Sequence, residues 1–107
     1  MRIVTGKHVR EMTAADLAAW RTRYPETTLD LGAGDGRFVR RLALRGPDQG
    51  VIGVDLCAAS LSSAARNPPD NALLVVADAL ALPDDLSNVA TTITITCPWG
   101  SLLRELL

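Results

Sequence analysis

The sequence predicts an α/β fold built on a parallel sheet, and three observations lead there. β-Forming runs at residues 27–31, 51–55, 73–77 and 91–96 alternate with helical patterns, an arrangement that gives parallel strands joined by right-handed crossovers. Between the first of these runs and the next helix lies Gly32-Ala33-Gly34-Asp35-Gly36. Without Cβ atoms the backbone there can turn sharply and let a ligand come close. Asp30, Asp55 and Asp78 stand at or beside the ends of three of the runs, the edge where ligands gather in such sheets. About four parallel strands, flanking helices and an N-terminal hairpin are expected.

Each element has its own signal. Ile3-Val4 and Lys7-His8-Val9-Arg10 flank Gly6 as a short hairpin, with Lys7, His8 and Arg10 on or near its exposed face. Thr13 is placed to cap a helix with Asp16 in the first turn; Pro25 stops that helix near Tyr24. Leu17 and Trp20 share one face at i, i+3, so Trp20 is expected in the core rather than as a platform for a base. A helix from about Arg37 buries Phe38, Val39, Leu42 and Leu44, exposes Arg37, Arg40, Arg41 and Arg45, and ends at Gly46-Pro47. Residues 51–55 deliver Asp55, and a helix of small residues spans roughly 58–66. Pro68-Pro69 breaks the chain before residues 73–77. Pro83-Asp84-Asp85 opens a turn or short helix; residues 91–96 form the fourth strand, and Pro98-Trp99-Gly100 leads into a last helix.

A chain of 107 residues is one domain, residues 1–107, large enough to bury a core. No apolar run approaches the roughly 20 residues of a membrane span, and the N-terminus lacks the apolar region of a signal peptide. A cytoplasmic protein without membrane contact is expected. His8 is the only histidine and Cys57 lies far from Cys97, so no metal pattern or Cys–His nucleophile pair can be built. Both cysteines are expected as buried small hydrophobes. The net charge of −1 argues against generic nucleic-acid binding, but residues 1–50 carry nine Lys/Arg against six Asp/Glu, and residues 51–107 two against six. The basic half could touch phosphates; solvated helix faces explain it equally well.

The glycine loop carries the chemistry. Gly32, Gly34 and Gly36 give G-x-G-x-G, neither the G-x-G-x-x-G of dinucleotide binders nor a nucleotide P-loop. Asp30 and Asp35 bracket the turn, which disfavours phosphate and favours a ligand with an ammonium group and a sulfonium. The N–H groups opening the next helix are expected to face that ligand. Asp55, about 20 residues past the glycines, is placed to accept both hydroxyls of a ribose. An ordinary tight turn with a solvated Asp is the competing reading; a binding site is favoured because both parts occur in order and in register. Together they resemble the S-adenosylmethionine site of class I methyltransferases.

Gly6-Lys7-x-Val9-x-Glu11, the run Asp30-Leu31-Gly32-x-Gly34-Asp35-Gly36, and Cys97-Pro98-Trp99-Gly100-Ser101-Leu102-Leu103-Arg104 closely resemble the aminoglycoside-resistance 16S rRNA adenine-N1 methyltransferases of the kanamycin–apramycin type. The resemblance covers this chain and about the first half of the family's usual length. It implies a partial Rossmann-like class I methyltransferase fold, with strand order 3-2-1-4. It implies an S-adenosyl-L-methionine site at Asp30, Gly32, Gly34 and Asp55, completed by Ala33, Asp35, Gly36 and Leu56. Asp78, Ala79 and Leu80 would meet the adenine end and Ser101 another part, with S-adenosyl-L-homocysteine as product. The tryptophan matching Trp99 stacks on the flipped target adenine in the relatives, a contact worth roughly 1–3 kcal/mol; a core plug under the sheet end is the other reading of Trp99. The adenine N1 lone pair attacks the sulfonium methyl, so positioning rather than a side-chain nucleophile supplies the rate. The partner implied is 16S rRNA in the 30S subunit, and the outcome is drug resistance.

The chain departs from the family pattern in places. The position of Leu80 is often acidic in relatives, and residues 58–66 are Ala/Ser-rich where relatives carry lysines. The second tryptophan of the adenine clamp falls in the half that this chain does not span, so the 107 residues alone are expected to methylate 30S subunits weakly or not at all. A methyltransferase for another substrate and a non-catalytic cofactor-binding remnant are the alternative functions. Residues 91–96 are β-forming, uncharged and free of proline, the profile of an edge strand that recruits another edge, so self-association is expected.

Overall fold

Side-chain alternation along three central strands decides the architecture. The computed structural model describes residues 1–62 and 64–95. Its elements are β1 (Arg2–Thr5), β2 (His8–Glu11), α1 (Ala14–Arg23), β3 (Thr27–Leu31), α2 (Arg37–Arg45), β4 (Gly50–Asp55), α3 (Ala58–Leu61), β5 (Ala72–Val76), a 3-10 turn (Asp84–Leu86) and β6 (Thr92–Ile95). Leu29, Leu31, Ile52, Val54, Leu73 and Val75 pack with Leu17 and Trp20 of α1 and with Tyr24, its C-cap, in one core. Val51, Ala72, Leu74 and Val76 pack with Val39 and Ala43 of α2 and Leu61 of α3 in the other. A strand with period-two alternation and apolar residues on both faces must be covered on both sides. The helices therefore divide between the two faces.

The sheet order is β2-β1-β5-β4-β3-β6. β5, β4, β3 and β6 run parallel, in the order 3-2-1-4 when only the parallel strands are counted. The hairpin β1–β2 does more than the sequence suggested. Ile3 pairs antiparallel with Val75, so the hairpin extends the sheet beyond β5. At α1 the capping signals act as written. Asp16 N–H donates to Thr13 Oγ1 at 3.1 Å while Thr13 N–H donates to Asp16 Oδ2 at 3.4 Å. Trp20 is core, as expected, and its Nε1–H donates to the Asp70 carbonyl at 3.0 Å.

Three expectations change. Leu44 is 62% exposed, and Ala43 takes its place in the buried stripe of α2. At about 100° per residue, position 43 lies beside 39 while 44 turns past it. The small-residue helix is short, with α3 ending at Leu61 rather than near 66. Ala64 and Ala65 leave the helix to pack under the glycine loop and the hairpin, where Gly6 N–H donates to the Ala65 carbonyl at 2.9 Å. Cys57 is exposed rather than buried, because it stands at the N-cap of α3 just after the chain leaves the sheet. The last expected helix, Thr96, Cys97, Trp99 and Ser101 lie outside the described residues. Among those described, no helix is long and apolar enough to cross a membrane.

Candidate functional site

The C-terminal ends of β3, β4 and β5 bring the predicted residues to one crest of the sheet. Gly32, Gly34 and Gly36 have φ of +72°, +60° and +78°. Each is left-handed, a conformation that costs an L-residue with a side chain roughly 1–2 kcal/mol. The alternate spacing of the glycines therefore follows from the turn itself. Gly36 has a second reason: a Cβ there would lie 2.4 Å from the Ala64 Cβ.

The loop is bonded down onto β4. Gly32 and Ala33 N–H both donate to the Val54 carbonyl at 2.9 Å, and Gly34 N–H donates to Asp55 Oδ2 at 2.8 Å. Gly36 N–H donates to the Ala33 carbonyl at 3.0 Å, and Arg37 N–H to Asp35 Oδ1 at 3.0 Å. These five donors are engaged within the protein, and among the N–H groups opening α2 that of Arg37 is turned back onto Asp35. A loop whose donors are engaged in this way is poorly suited to cradle phosphate, and its neighbouring side chains are acidic.

Those acids share a local device that the sequence reading missed. Asp35, Asp55 and Asp78 each accept the backbone N–H two residues on, from Arg37, Cys57 and Leu80, at 3.0, 2.9 and 2.9 Å. Asp followed by a sharp turn is the signal that could have revealed it. The second oxygens differ. Asp35 Oδ2 accepts from Arg37 Nε at 2.7 Å, and the Arg37 N–H, then its guanidinium, hold the Asp35 carboxyl below the usual carboxylate range. Asp55 Oδ2 holds Gly34. Leu56 is 70% exposed on the outer lip, while Ala79 is half-buried against the α1-side core and Leu80 is exposed. The Cys57 thiol lies beside this lip, its pKa lowered chiefly by a hydrogen bond from the Ser60 side chain and then the Ser60 backbone.

Asp30 sits beneath the crest and is fully buried. Gly53 is its register partner on β4, and Thr94 is its partner on β6. Thr94 Oγ1–H donates to Asp30 Oδ1 at 2.6 Å. Thr94 was not singled out from the sequence; the polar alternation of Thr92 and Thr94 in an otherwise β-forming run was the available signal.

A glycine turn at the crest of a 3-2-1-4 parallel sheet, followed by an acid on the neighbouring strand, is the architecture of the class I methyltransferases. The chain belongs to the NpmA family, 16S rRNA (adenine(1408)-N(1))-methyltransferase, whose family model matches residues 2–107. The 16S rRNA (adenine(1408)-N(1))-methyltransferase of Streptoalloteichus hindustanus is 35% identical over 115 residues, which take in 100% of this chain and 53% of the relative. The crystal structure of the antibiotic-resistance methyltransferase Kmr superposes with a TM-score of 0.92 at 38% identity, over 99% of this chain and 58% of Kmr. A mutant 16S rRNA (adenine(1408)-N(1))-methyltransferase from Catenulisporales acidiphilia, solved with the cosubstrate SAM, matches with a TM-score of 0.87 at 27% identity, over 99% of this chain and 56% of that structure. The chain spans about half the length of the curated relatives it matches.

Proposed function

We propose that these residues bind S-adenosylmethionine at the crest, and that the protein transfers its methyl group to N1 of adenine 1408 of 16S rRNA in the 30S subunit, the site named for its relatives. The observation that carries the cofactor reading is that the loop N–H groups are engaged within the protein while three carboxylates, Asp35, Asp55 and Asp78, gather at the same crest. That combination suits a ligand with a cationic end and a ribose better than one with phosphates.

Residue by residue, the donor set fits. Each carboxylate oxygen can accept more than one hydrogen bond, so Asp55 can hold Gly34 and Cys57 and still receive ribose hydroxyls. Leu56 would flank that ribose. Asp78 and the wall formed by Ala79 and Leu80 would meet the adenine ring, and Gly32, Ala33, Gly34 and Gly36 would admit the ligand to the backbone. Asp35, engaged with Arg37, would shape the loop and add negative field at its lip, while Asp30 would oppose the ligand's ammonium group from below. When bound, the cofactor supplies a methyl group on a sulfonium, and the protein's work is to orient it toward the attacking nitrogen and exclude water. Trp99, as a stacking platform for the target adenine, and Ser101, as a further cofactor contact, belong to this proposal on the family resemblance.

Two measurements test the two halves separately. Calorimetry with S-adenosylhomocysteine tests the cofactor site. Methyl transfer from labelled S-adenosylmethionine into purified 30S subunits, with primer extension to find the modified base, tests the substrate. Label at adenine 1408 supports the reading; label confined to another base or another substrate class moves the activity elsewhere.

A further inference from the structure

We propose that Thr94 is a positioning residue for the cofactor: its hydroxyl, presented from β6, holds the Asp30 carboxylate in place beneath the glycine loop and so tightens binding of the ligand's amino-acid end. The inference rests on the S-adenosylmethionine reading and adds to it a strand that carries none of the glycine or ribose contacts.

The geometry is specific. Asp30 is 0% exposed one residue before the end of β3. On one flank its register partner is Gly53, where a Cβ would come within 2.7 Å of Val39 Cγ2, so the space over that strand position is already taken by the Val39 side chain. On the other flank Thr94 stands directly opposite in the parallel register and donates at 2.6 Å. Burying a carboxylate is costly unless it is hydrogen-bonded, and an apolar residue at position 30 would fill a sheet otherwise built from Leu, Ile and Val without that cost. An acid kept there therefore points to work at the crest above it. A hydroxyl locked onto one oxygen removes rotamer freedom that the ligand would otherwise have to quench. β6 is also the strand that leads to Pro98-Trp99-Gly100 in the sequence. The same bond thus ties the cofactor site to the strand preceding the residue proposed to hold the target base.

The test compares two ligands in the 107-residue chain: S-adenosylhomocysteine, which has the amino-acid end, and 5′-methylthioadenosine, which lacks it. Thr94→Val removes the hydroxyl at nearly constant volume. It is expected to weaken S-adenosylhomocysteine binding about 3–10-fold, the effect of one hydrogen bond, and to leave 5′-methylthioadenosine affinity unchanged. Thr94→Ser, which keeps the hydroxyl, is expected to bind both ligands as the parent chain does. The proposal is overturned if Thr94→Val binds S-adenosylhomocysteine as tightly as the parent, or loses affinity for both ligands alike, since a purely structural role would do the latter. If Thr94→Val does not fold, Thr94→Ala, which also lacks the hydroxyl, decides: weakened S-adenosylhomocysteine binding with 5′-methylthioadenosine affinity kept supports the proposal, and parent-like binding of both overturns it. A parent chain that binds neither ligand would instead bring down the cofactor reading, and this inference with it.

Discussion

Gly34 and Asp55 are joined across the crest: the Gly34 N–H donates to Asp55 Oδ2 at 2.8 Å, while Asp55 Oδ1 accepts from Cys57 N–H at 2.9 Å. One carboxylate thus holds both the loop after β3 and the loop after β4. Asp55→Ala should weaken S-adenosylhomocysteine binding by about 1.5–3 kcal/mol, the range for hydrogen bonds to a charged group. Titration calorimetry reads this directly. Unchanged affinity would remove Asp55 from the ribose.

Gly36 combines a left-handed φ of +78° with a tight approach to Ala64. Gly36→Ala should destabilise the chain by about 2–4 kcal/mol, from the backbone penalty and overpacking together. Adding Ala64→Gly should return only the overpacking share, because the φ cost stays. Urea unfolding of the single and double variants checks the split; full recovery in the double variant would show that φ contributes nothing.

The lowered pKa of the Cys57 thiol has a readable sign. A lower pKa gives more thiolate at any pH below it, and the thiolate is the nucleophile, so alkylation of Cys57 should set in at lower pH than for a free cysteine. Ser60→Ala removes the leading cause and should move the onset to higher pH. Mass spectrometry of iodoacetamide adducts at Cys57 across a pH series follows it. Superimposable profiles for the parent and Ser60→Ala would show that the hydroxyl has no influence.

Among the described residues β6 pairs with β3 alone, and its Ile93 and Ile95 are 60% and 43% exposed. A β-forming edge without charges favours pairing with another edge. The 107-residue chain should therefore sediment faster as its concentration rises, and Ile93→Lys should reduce that dependence. A chain that stays monomeric across the series and melts cooperatively would refute the expectation.

Local features were legible in the sequence wherever the cause was local. The left-handed turn demands glycine at three alternate positions, the capping box of α1 needs Thr13 and Asp16 three apart, and unbroken apolar runs such as 72–76 announce strands covered on both faces. The crest acids could be named because the strand ends could be placed. The exposure of Leu44 follows from helical geometry alone, since position 43 and not 44 lies beside Val39. What required the tertiary structure was pairing over distance. Thr94 meets Asp30 across 64 positions, and Asn71 Nδ2 reaches the carbonyls of Ala43, Gly46 and Gln49 at 2.9, 3.1 and 2.7 Å. The direction of the loop N–H groups likewise depends on how β3 and β4 lie side by side. Dihedral preference and side-chain period are properties of a short stretch of chain. A hydrogen bond between strands depends on register, which is settled only when the whole sheet assembles.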